Sequence, residues 1–202
     1  QVEALDILGE ISLKNASDKT ERLQKVADIT NQGMNGSSSF RQSLEKRLNL
    51  LKANKSHLPL LVEELKKLVS KSFKRNADFF EAHHDKVFII SNGFKDFIVP
   101  IVADYHIKAE NVFANEFIFN DAGDITDFNR DNVLSSNNGK VEQLKSLELK
   151  GDIYVIGDGY TDYEIKAAGL ANKFYAFNAN IERESVTQKA DHITPRLDQF
   201  LY

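Results

Sequence analysis

The sequence predicts an α/β fold in which a bundle of helices precedes an open parallel sheet. Three patterns support this prediction. Apolar residues recur at helical spacing over roughly the first 70 residues, and short apolar runs then alternate with helical segments. Glycine-containing turns that carry Ser or Asp directly follow two of those runs. Runs that alternate with helices are typical of parallel strands that are buried on both faces.

Four apolar stripes, each on one helical face, predict the bundle. They are Leu5, Ile7, Leu8 and Ile11; Leu23, Val26 and Ile29; Phe40, Leu44, Leu48 and Leu51; and Leu58 to Val69. Pro59 stands near the start of the fourth stripe, where helices tolerate proline. We therefore place a helical domain at residues 1–72.

Residues 73–202 are predicted to form the sheet domain. The predicted strands are Val87-Phe88-Ile89-Ile90, Ile153-Tyr154-Val155-Ile156, Lys173 to Phe177 and His192-Ile193-Thr194, with a β-hairpin over 116–128. Helical segments are predicted after the first two strands. In such sheets ligands bind at the carboxyl ends of the strands. Ser91 and Asp158 each take that place in the sequence.

Composition limits the function classes. The net charge of −4 does not favour a nucleic-acid surface. No apolar run approaches the about 20 residues of a membrane span, and no signal peptide is visible. The absence of cysteine excludes disulfides, thiol nucleophiles and Cys-based zinc sites, and it fits a reducing compartment. We expect a cytoplasmic protein, monomeric or homodimeric, that binds neither nucleic acid nor membrane.

The turn Gly157-Asp158-Gly159 is the first candidate site. Its glycines let the backbone turn sharply beside a ligand. Asp158, with Asp162 four residues later, supplies the oxygen ligands that Mg²⁺ prefers. The alternative is a simple turn, since Asp and Gly are common turn residues.

Ser91 and Lys140 are candidates for binding a phosphate. The Ser91 hydroxyl and the amides of Asn92 and Gly93 could donate to phosphate oxygens near a helix N-terminus, although a plain helix cap is an alternative. Lys140 begins a helical segment, where a cation opposes the helix dipole unless an anion lies nearby. The alternative for Lys140 is a solvated surface lysine.

Serine after a strand, lysine at a helix start and Gly-Asp-Gly-x-x-Asp after a later strand resemble, in this order, motifs two, three and four of the haloacid dehalogenase-like (HAD) superfamily. The resemblance implies a Rossmann-like core with an inserted helical cap. It implies that Ser91 and Lys140 hold the phosphoryl group. It also implies that Asp158 binds Mg²⁺ and that Asp162 supports the metal site without binding the metal directly.

The helical part resembles the cap of phosphoserine phosphatases. The matching stretches are Gly33-Met34-Asn35-Gly36, Ser39-Phe40 and Ser43-Leu44-Glu45-Lys46-Arg47. The resemblance implies that Glu3, Met34, Phe40 and Arg47 close over the substrate. Arg47 would pair with a carboxylate and Glu3 with an α-ammonium group. The alternative is that Phe40 and Met34 belong to the bundle core and that Arg47 is solvated.

Three departures from the family pattern stand out. Asn92 replaces a usual glycine, and Thr161 replaces a common asparagine, so we include Asn92, Gly93 and Thr161 among the substrate-contact candidates. No Asp-x-Asp motif, which would supply the nucleophile and the general acid/base, is present. We expect that motif and the central strand before it to lie upstream of Gln1, or a strand from another molecule to fill the gap in the sheet, and the 202 residues alone to be inactive.

These observations predict a Mg²⁺-dependent phosphomonoesterase. The predicted reaction converts O-phosphoserine to serine and phosphate through an aspartyl-phosphate, as in serine biosynthesis. Three alternatives stay open. The first is a phosphatase for another small phosphorylated metabolite, such as phosphocholine or a sugar-like phosphate. The second is a catalytically inactive phosphatase-like binding protein. The third is a generic α/β metal-binding module, which would leave Lys140 and Ser91 unexplained.

Overall fold

The computed structural model describes residues 3–34 and 39–201, apart from the side chains of Asn31 and Met34. In that part the α-helices are α1 (Ala4–Ser12), α2 (Lys19–Met34), α3 (Phe40–Leu51), α4 (Leu58–Leu68), α5 (Lys71–Lys74), α6 (Ala77–Ala82), α7 (Lys95–Val102), α8 (Gly139–Ser146), α9 (Tyr160–Ala167), α10 (Glu184–Thr187) and α11 (Asp198–Leu201). The strands are β1 (Ile89–Phe94), β2 (Val112–Asn115), β3 (Phe117–Phe119), β4 (Ile125–Phe128), β5 (Tyr154–Gly157), β6 (Lys173–Phe177) and β7 (His192–Thr194).

The first four helices confirm the four predicted stripes. α3 begins after Ser39, whose hydroxyl accepts from the Gln42 amide at 3.3 Å and so satisfies one free helix donor. α4 carries Pro59 in its first turn, as predicted. The buried faces of α1, α3 and α4 meet in one apolar cluster around Leu8, Leu51 and Leu61.

The strands form two parallel groups and one antiparallel hairpin. β1 pairs with β2, β5 pairs with β6 and β6 pairs with β7, all in parallel. Among the residues that the structure describes, β1 and β5 do not pair with each other. β3 and β4 form the predicted hairpin. The strands at Lys173–Phe177 and His192–Thr194 also match their predicted bounds.

Three strand predictions need correction. The strand predicted at Ile153–Ile156 lies one residue later, at Tyr154–Gly157, so Gly157 ends the strand. The first strand begins at Ile89 and continues through Ser91 to Phe94, so Ser91 lies inside β1 rather than after it. The strand runs on because its pairing with β2 resumes at Phe94, opposite Asn115, after an irregularity. β2 itself is absent from the sequence prediction.

Helices and sheet share hydrophobic contacts. The cluster that contains Leu8, Leu51 and Leu61 also includes Phe94, Phe117 and Phe128, and the rings of Phe94 and Phe117 stack with centroids 3.7 Å apart. The hairpin and the end of β1 therefore pack directly against the helical bundle. The division into domains at residues 72 and 73 stays a prediction. None of the described helices combines the length and the apolar character needed to cross a bilayer.

Candidate active site

The turn after β5 is held by its own side chains. The Gly159 amide donates to Asp162 Oδ2 at 3.0 Å, which closes the first turn of α9. The Asp162 carboxylate folds back over Gly157, so a methyl group at Gly157 would overlap its Cγ. Glycine at 157 is therefore needed for this close approach, and the turn carries Asp158 at the carboxyl end of β5.

A buried ion pair joins this turn to α8. Lys140 Nζ lies 2.6 Å from Asp162 Oδ1, and the two side chains are only 13% and 12% exposed. Lys140 follows Gly139, where an added Cβ would overlap the Val133 carbonyl oxygen, so the helix start packs tightly on the preceding 3₁₀ turn (Val133–Ser135). Asp162 thus balances a lysine that would otherwise oppose the helix dipole.

Asp158 meets a second cation that sequence reasoning missed. Arg183 Nη1 donates to Asp158 Oδ2 at 2.6 Å and to the Asp158 carbonyl at 2.9 Å. Arg183 comes from the loop before α10, 25 residues further along the chain. No local pattern indicates this contact, since an arginine in a polar loop is usually solvated.

The residues around Ser91 form hydrogen bonds with each other and with the segment before Lys140. Ser91 Oγ accepts from the Gly93 amide at 3.0 Å. The Asn92 side chain donates to the Leu134 carbonyl at 3.0 Å, so it binds the segment that leads to Lys140. Ser91 is half-buried and ends the apolar part of β1.

An apolar cluster brings the three predicted motifs together. Val141, next to Lys140, is buried with Leu144 and Ile165 of α8 and α9. Ile90, next to Ser91, and Val155 of β5 pack against that cluster. Ile90, Val141 and Val155, which lie near Ser91, Lys140 and Asp158 in sequence, therefore share one core.

In the helical part, Glu3 and Arg47 form an ion pair. Arg47 Nη1 lies 3.0 Å from Glu3 Oε2, and the Arg47 side chain is buried. Arg47 also donates to the Ser43 carbonyl and to the Thr30 hydroxyl, each at 3.4 Å. The Glu3 amide donates to Asp6 Oδ2, and this hydrogen bond stabilises the start of α1. The two predicted substrate residues, 44 positions apart, are thus in contact.

The other predicted cap residues are placed separately. Phe40 is half-buried and packs on the apolar cluster of the bundle. Thr161 is exposed in the first turn of α9. The side chain of Met34 lies outside the described residues. Within the described residues, Thr161 makes no hydrogen bond with Lys140, Asp158 or Ser91.

One arginine connects α3 to the sheet domain. Arg41 Nη2 donates to the Arg130 carbonyl at 2.8 Å and to the hydroxyls of Ser135 and Ser136 at 2.9 and 2.8 Å. Those three acceptors belong to the segment that leads to Lys140. α3, which carries Phe40 and Arg47, is therefore docked directly onto the segment before Lys140.

Charges near Lys140 also affect α9. Burial raises the pKa of Glu164 above its ordinary value, and the positive charge of Lys140 opposes that change. Glu164 lies two residues after Asp162 on the same helix. The field of Lys140 therefore reaches both acids of α9.

A magnesium site would depend on Asp158. Its carboxylate and its backbone carbonyl both face the Arg183 guanidinium, so two hard oxygens converge on one positive group. Proteins commonly hold Mg²⁺ by one or two carboxylates, with substrate phosphate and water completing the ligands. Within residues 3–34 and 39–201, no group of three or more His, Cys, Asp or Glu is arranged to hold a metal. The donor set fits this open mode of binding rather than a closed protein cage.

The tight approach at Gly157 gives a first prediction. Gly157→Ala is expected to destabilise the fold by about 1–3 kcal/mol and to displace Asp162 from Lys140, because the new methyl group overlaps the carboxylate. Urea denaturation measures the loss. Gly159→Ala is the matched control, since its Cβ would meet Asp162 Oδ2 at 3.3 Å and needs only a small shift. Equal losses in the two variants would contradict the steric argument.

Comparisons with known proteins show the family of this chain. The model of the haloacid dehalogenase-like hydrolase family matches residues 9–165. The chain is 29% identical over 181 residues to phosphoserine phosphatase of Drosophila melanogaster, covering 88% of this chain and 66% of the relative. It is 29% identical to the chloroplastic phosphoserine phosphatase of Arabidopsis thaliana, covering 87% and 61%. The chain therefore spans slightly less than two thirds of the length of these two relatives.

A solved structure is also similar to this chain. A phosphoserine phosphohydrolase-like protein from Francisella tularensis aligns with a TM-score of 0.81 at 29% identity, covering 98% of this chain and 91% of that one. The predicted α/β core is therefore confirmed, whereas the inserted cap and the missing central strand stay predictions.

Proposed function

Because this chain belongs to the haloacid dehalogenase-like hydrolase family, we propose that it is a Mg²⁺-dependent phosphatase that hydrolyses O-phosphoserine to serine and phosphate. The observation that carries the proposal is the buried Lys140–Asp162 ion pair, with Asp158 presented beside it at the end of β5. The proposed partner is a small phosphorylated metabolite. The proposed location is the cytoplasm, in keeping with a cysteine-free chain.

At the phosphate end, each group has a distinct task. Lys140 supplies a fixed positive charge for the phosphoryl oxygens, and Asp162 holds that charge in place. The Ser91 hydroxyl and nearby amides donate to the same oxygens. Asp158 would hold Mg²⁺, which neutralises negative charge on the phosphate when bound. In the proposed reaction the phosphoryl group passes from serine to an aspartate carboxylate and then to water.

At the cap end, the Glu3–Arg47 pair suits a zwitterion. A free α-amino acid group carries one carboxylate and one ammonium. Inserted at this pair, it would replace one ion pair with two, carboxylate to Arg47 and ammonium to Glu3. The described atoms offer no acceptor to Arg47 Nη2. A phosphoester without a carboxylate would leave the buried positive charge of Arg47 without a second anionic partner. The binding of such a phosphoester is therefore disfavoured.

Phosphate release from a substrate series tests the proposal. The protein, expressed from its complete open reading frame, is expected to hydrolyse O-phosphoserine with Mg²⁺ and to lose activity in EDTA. The kcat/KM for O-phosphoserine should exceed that for O-phosphoethanolamine by roughly 10–150-fold, the value of a charge-assisted hydrogen bond. A preference for phosphocholine would favour the other small phosphoesters. Binding of phosphate without any hydrolysis would favour the inactive binding protein.

Substitutions of two arginines in the helical part distinguish an effect on substrate recognition from an effect on stability. Arg47→Ala is expected to remove most of the preference for O-phosphoserine over O-phosphoethanolamine. Arg22→Ala is the control, because Arg22 bonds to Asp18 and to the Leu50 carbonyl within the bundle. If Arg47→Ala lowered activity on both substrates equally, Arg47 would have only a structural role.

A further inference from the structure

The part of β1 that follows Ser91 contains a side chain with an assignable task. Asn92 stands between Ser91 and Gly93, where the HAD pattern described above usually has glycine. Its carboxamide does not point away from the fold, because Nδ2 donates to the Leu134 carbonyl at 3.0 Å. Glycine has no side chain that could make this bond.

A buried asparagine reinforces the same contact. Asn115, at the end of β2, is fully buried, and its Nδ2 donates to the Asn92 carbonyl at 2.9 Å and to the Leu134 carbonyl at 3.4 Å. Both neighbours are carbonyl oxygens, so the opposite orientation of the amide would place oxygen against oxygen. The backbone and the side chain of Asn92 are therefore both held to the Leu134 segment.

That segment in turn fixes the start of α8. The Leu134 amide donates to Asn132 Oδ1 at 3.0 Å, and Asn132 Nδ2 donates to the Ala114 carbonyl of β2 at 2.8 Å. Gly139 packs so closely on Val133 that a methyl group would not fit there. Since Lys140 is the next residue, any movement of the Leu134 segment would be passed to Lys140.

We propose that Asn92 is a positioning residue, which clamps the Ser91 part of β1 to the segment before Lys140 and so fixes the spacing of the two phosphate-binding groups. The proposal rests on the proposed function. The Asn92 side chain acts through Leu134. None of the hydrogen bonds of this clamp involves Gly159, Asp162 or Arg183, which hold the Asp158 turn.

The test compares phosphate affinity with Mg²⁺ affinity in the full protein. Asn92→Ala is expected to weaken the binding of inorganic phosphate, measured by isothermal titration calorimetry with Mg²⁺ present, by about tenfold. Asn92→Asp should weaken it more, because a carboxylate of the same shape would face the Leu134 carbonyl. Mg²⁺ affinity should stay within twofold of wild type in both. A general loosening of the fold would lower both affinities, and that result would overturn the proposal.

Asn111→Ala is the matched control. Asn111 Nδ2 also donates to a backbone carbonyl, that of His84, at 2.8 Å, but it lies before β2 and away from the strand ends of the site. Equal phosphate affinity in Asn92→Ala and Asn111→Ala would overturn the proposal while leaving the phosphatase function intact. A wild-type protein that binds phosphate without hydrolysing phosphoesters would remove the proposed function but still permit the Asn92 comparison. A wild-type protein that does neither would overturn both.

Discussion

Asp158→Asn is expected to abolish Mg²⁺ binding and to lower phosphate release by about 10²–10³-fold, the range seen when a preorganised charge-stabilising group is removed. The substitution keeps the size of the side chain and removes its charge. Asp158 presents its carboxylate and its carbonyl to one cation, so its role is electrostatic rather than steric. Calorimetric titration of Mg²⁺ measures the metal affinity independently of activity.

A second aspartate serves as the control for that charge change. Asp152 accepts from Asn172 Nδ2 at 2.9 Å and is exposed before β5, outside the turn. Asp152→Asn should bind Mg²⁺ and release phosphate like the wild type. If Asp158→Asn retained wild-type Mg²⁺ affinity, the metal would have to be held elsewhere and motif four would be misassigned.

Local sequence patterns were sufficient for much of the fold. Lys173–Phe177 and His192–Thr194 are short apolar or β-branched runs between polar turns, and each forms a strand with the predicted bounds. The hairpin at Phe117–Phe128 is likewise local, since its two strands are joined by a short polar turn. The four long helices follow from apolar spacing alone.

The missed elements depend on contacts that are distant in sequence. β2 has only four residues and is followed, after one residue, by β3, so no pattern separates it from the hairpin. It becomes a strand by pairing with β1, more than 20 residues earlier. The same pairing extends β1 past Ser91. Short helices such as α5 and α10 were missed because four residues carry little periodicity.

Some features of the candidate site could be predicted from local sequence, and others depend on contacts distant in sequence. Ser91, Lys140 and Asp158 could be proposed from the sequence because each follows an apolar run or begins a helical segment. The bonds that organise them could not be proposed. Arg183 reaches Asp158 from a loop 25 residues away, and Asn115 reaches Asn92 from a neighbouring strand. These partners are ordinary polar residues whose importance arises only from where the fold places them.

Lys140→Ala is expected to lower both stability and activity, because the Asp162 carboxylate would remain buried without its cation. Breaking a buried ion pair by removing one partner costs about 3–5 kcal/mol. The effect should approach that range here, since both side chains are nearly buried and only the Gly159 amide would still donate to Asp162. Urea denaturation measures the stability, and phosphate release should fall by about 10²-fold with the loss of a fixed charge beside the phosphate.

The double variant Lys140→Met with Asp162→Asn separates the two effects. Removing both charges leaves no buried unpaired ion, so stability should recover by most of the loss seen in Lys140→Ala. Phosphate release should not recover, because no positive charge remains for the phosphoryl oxygens. Recovery of activity along with stability would show that the ion pair serves only the fold. Loss of activity in a stable double variant would show that Lys140 acts on the phosphate, with Asp162 holding it in position.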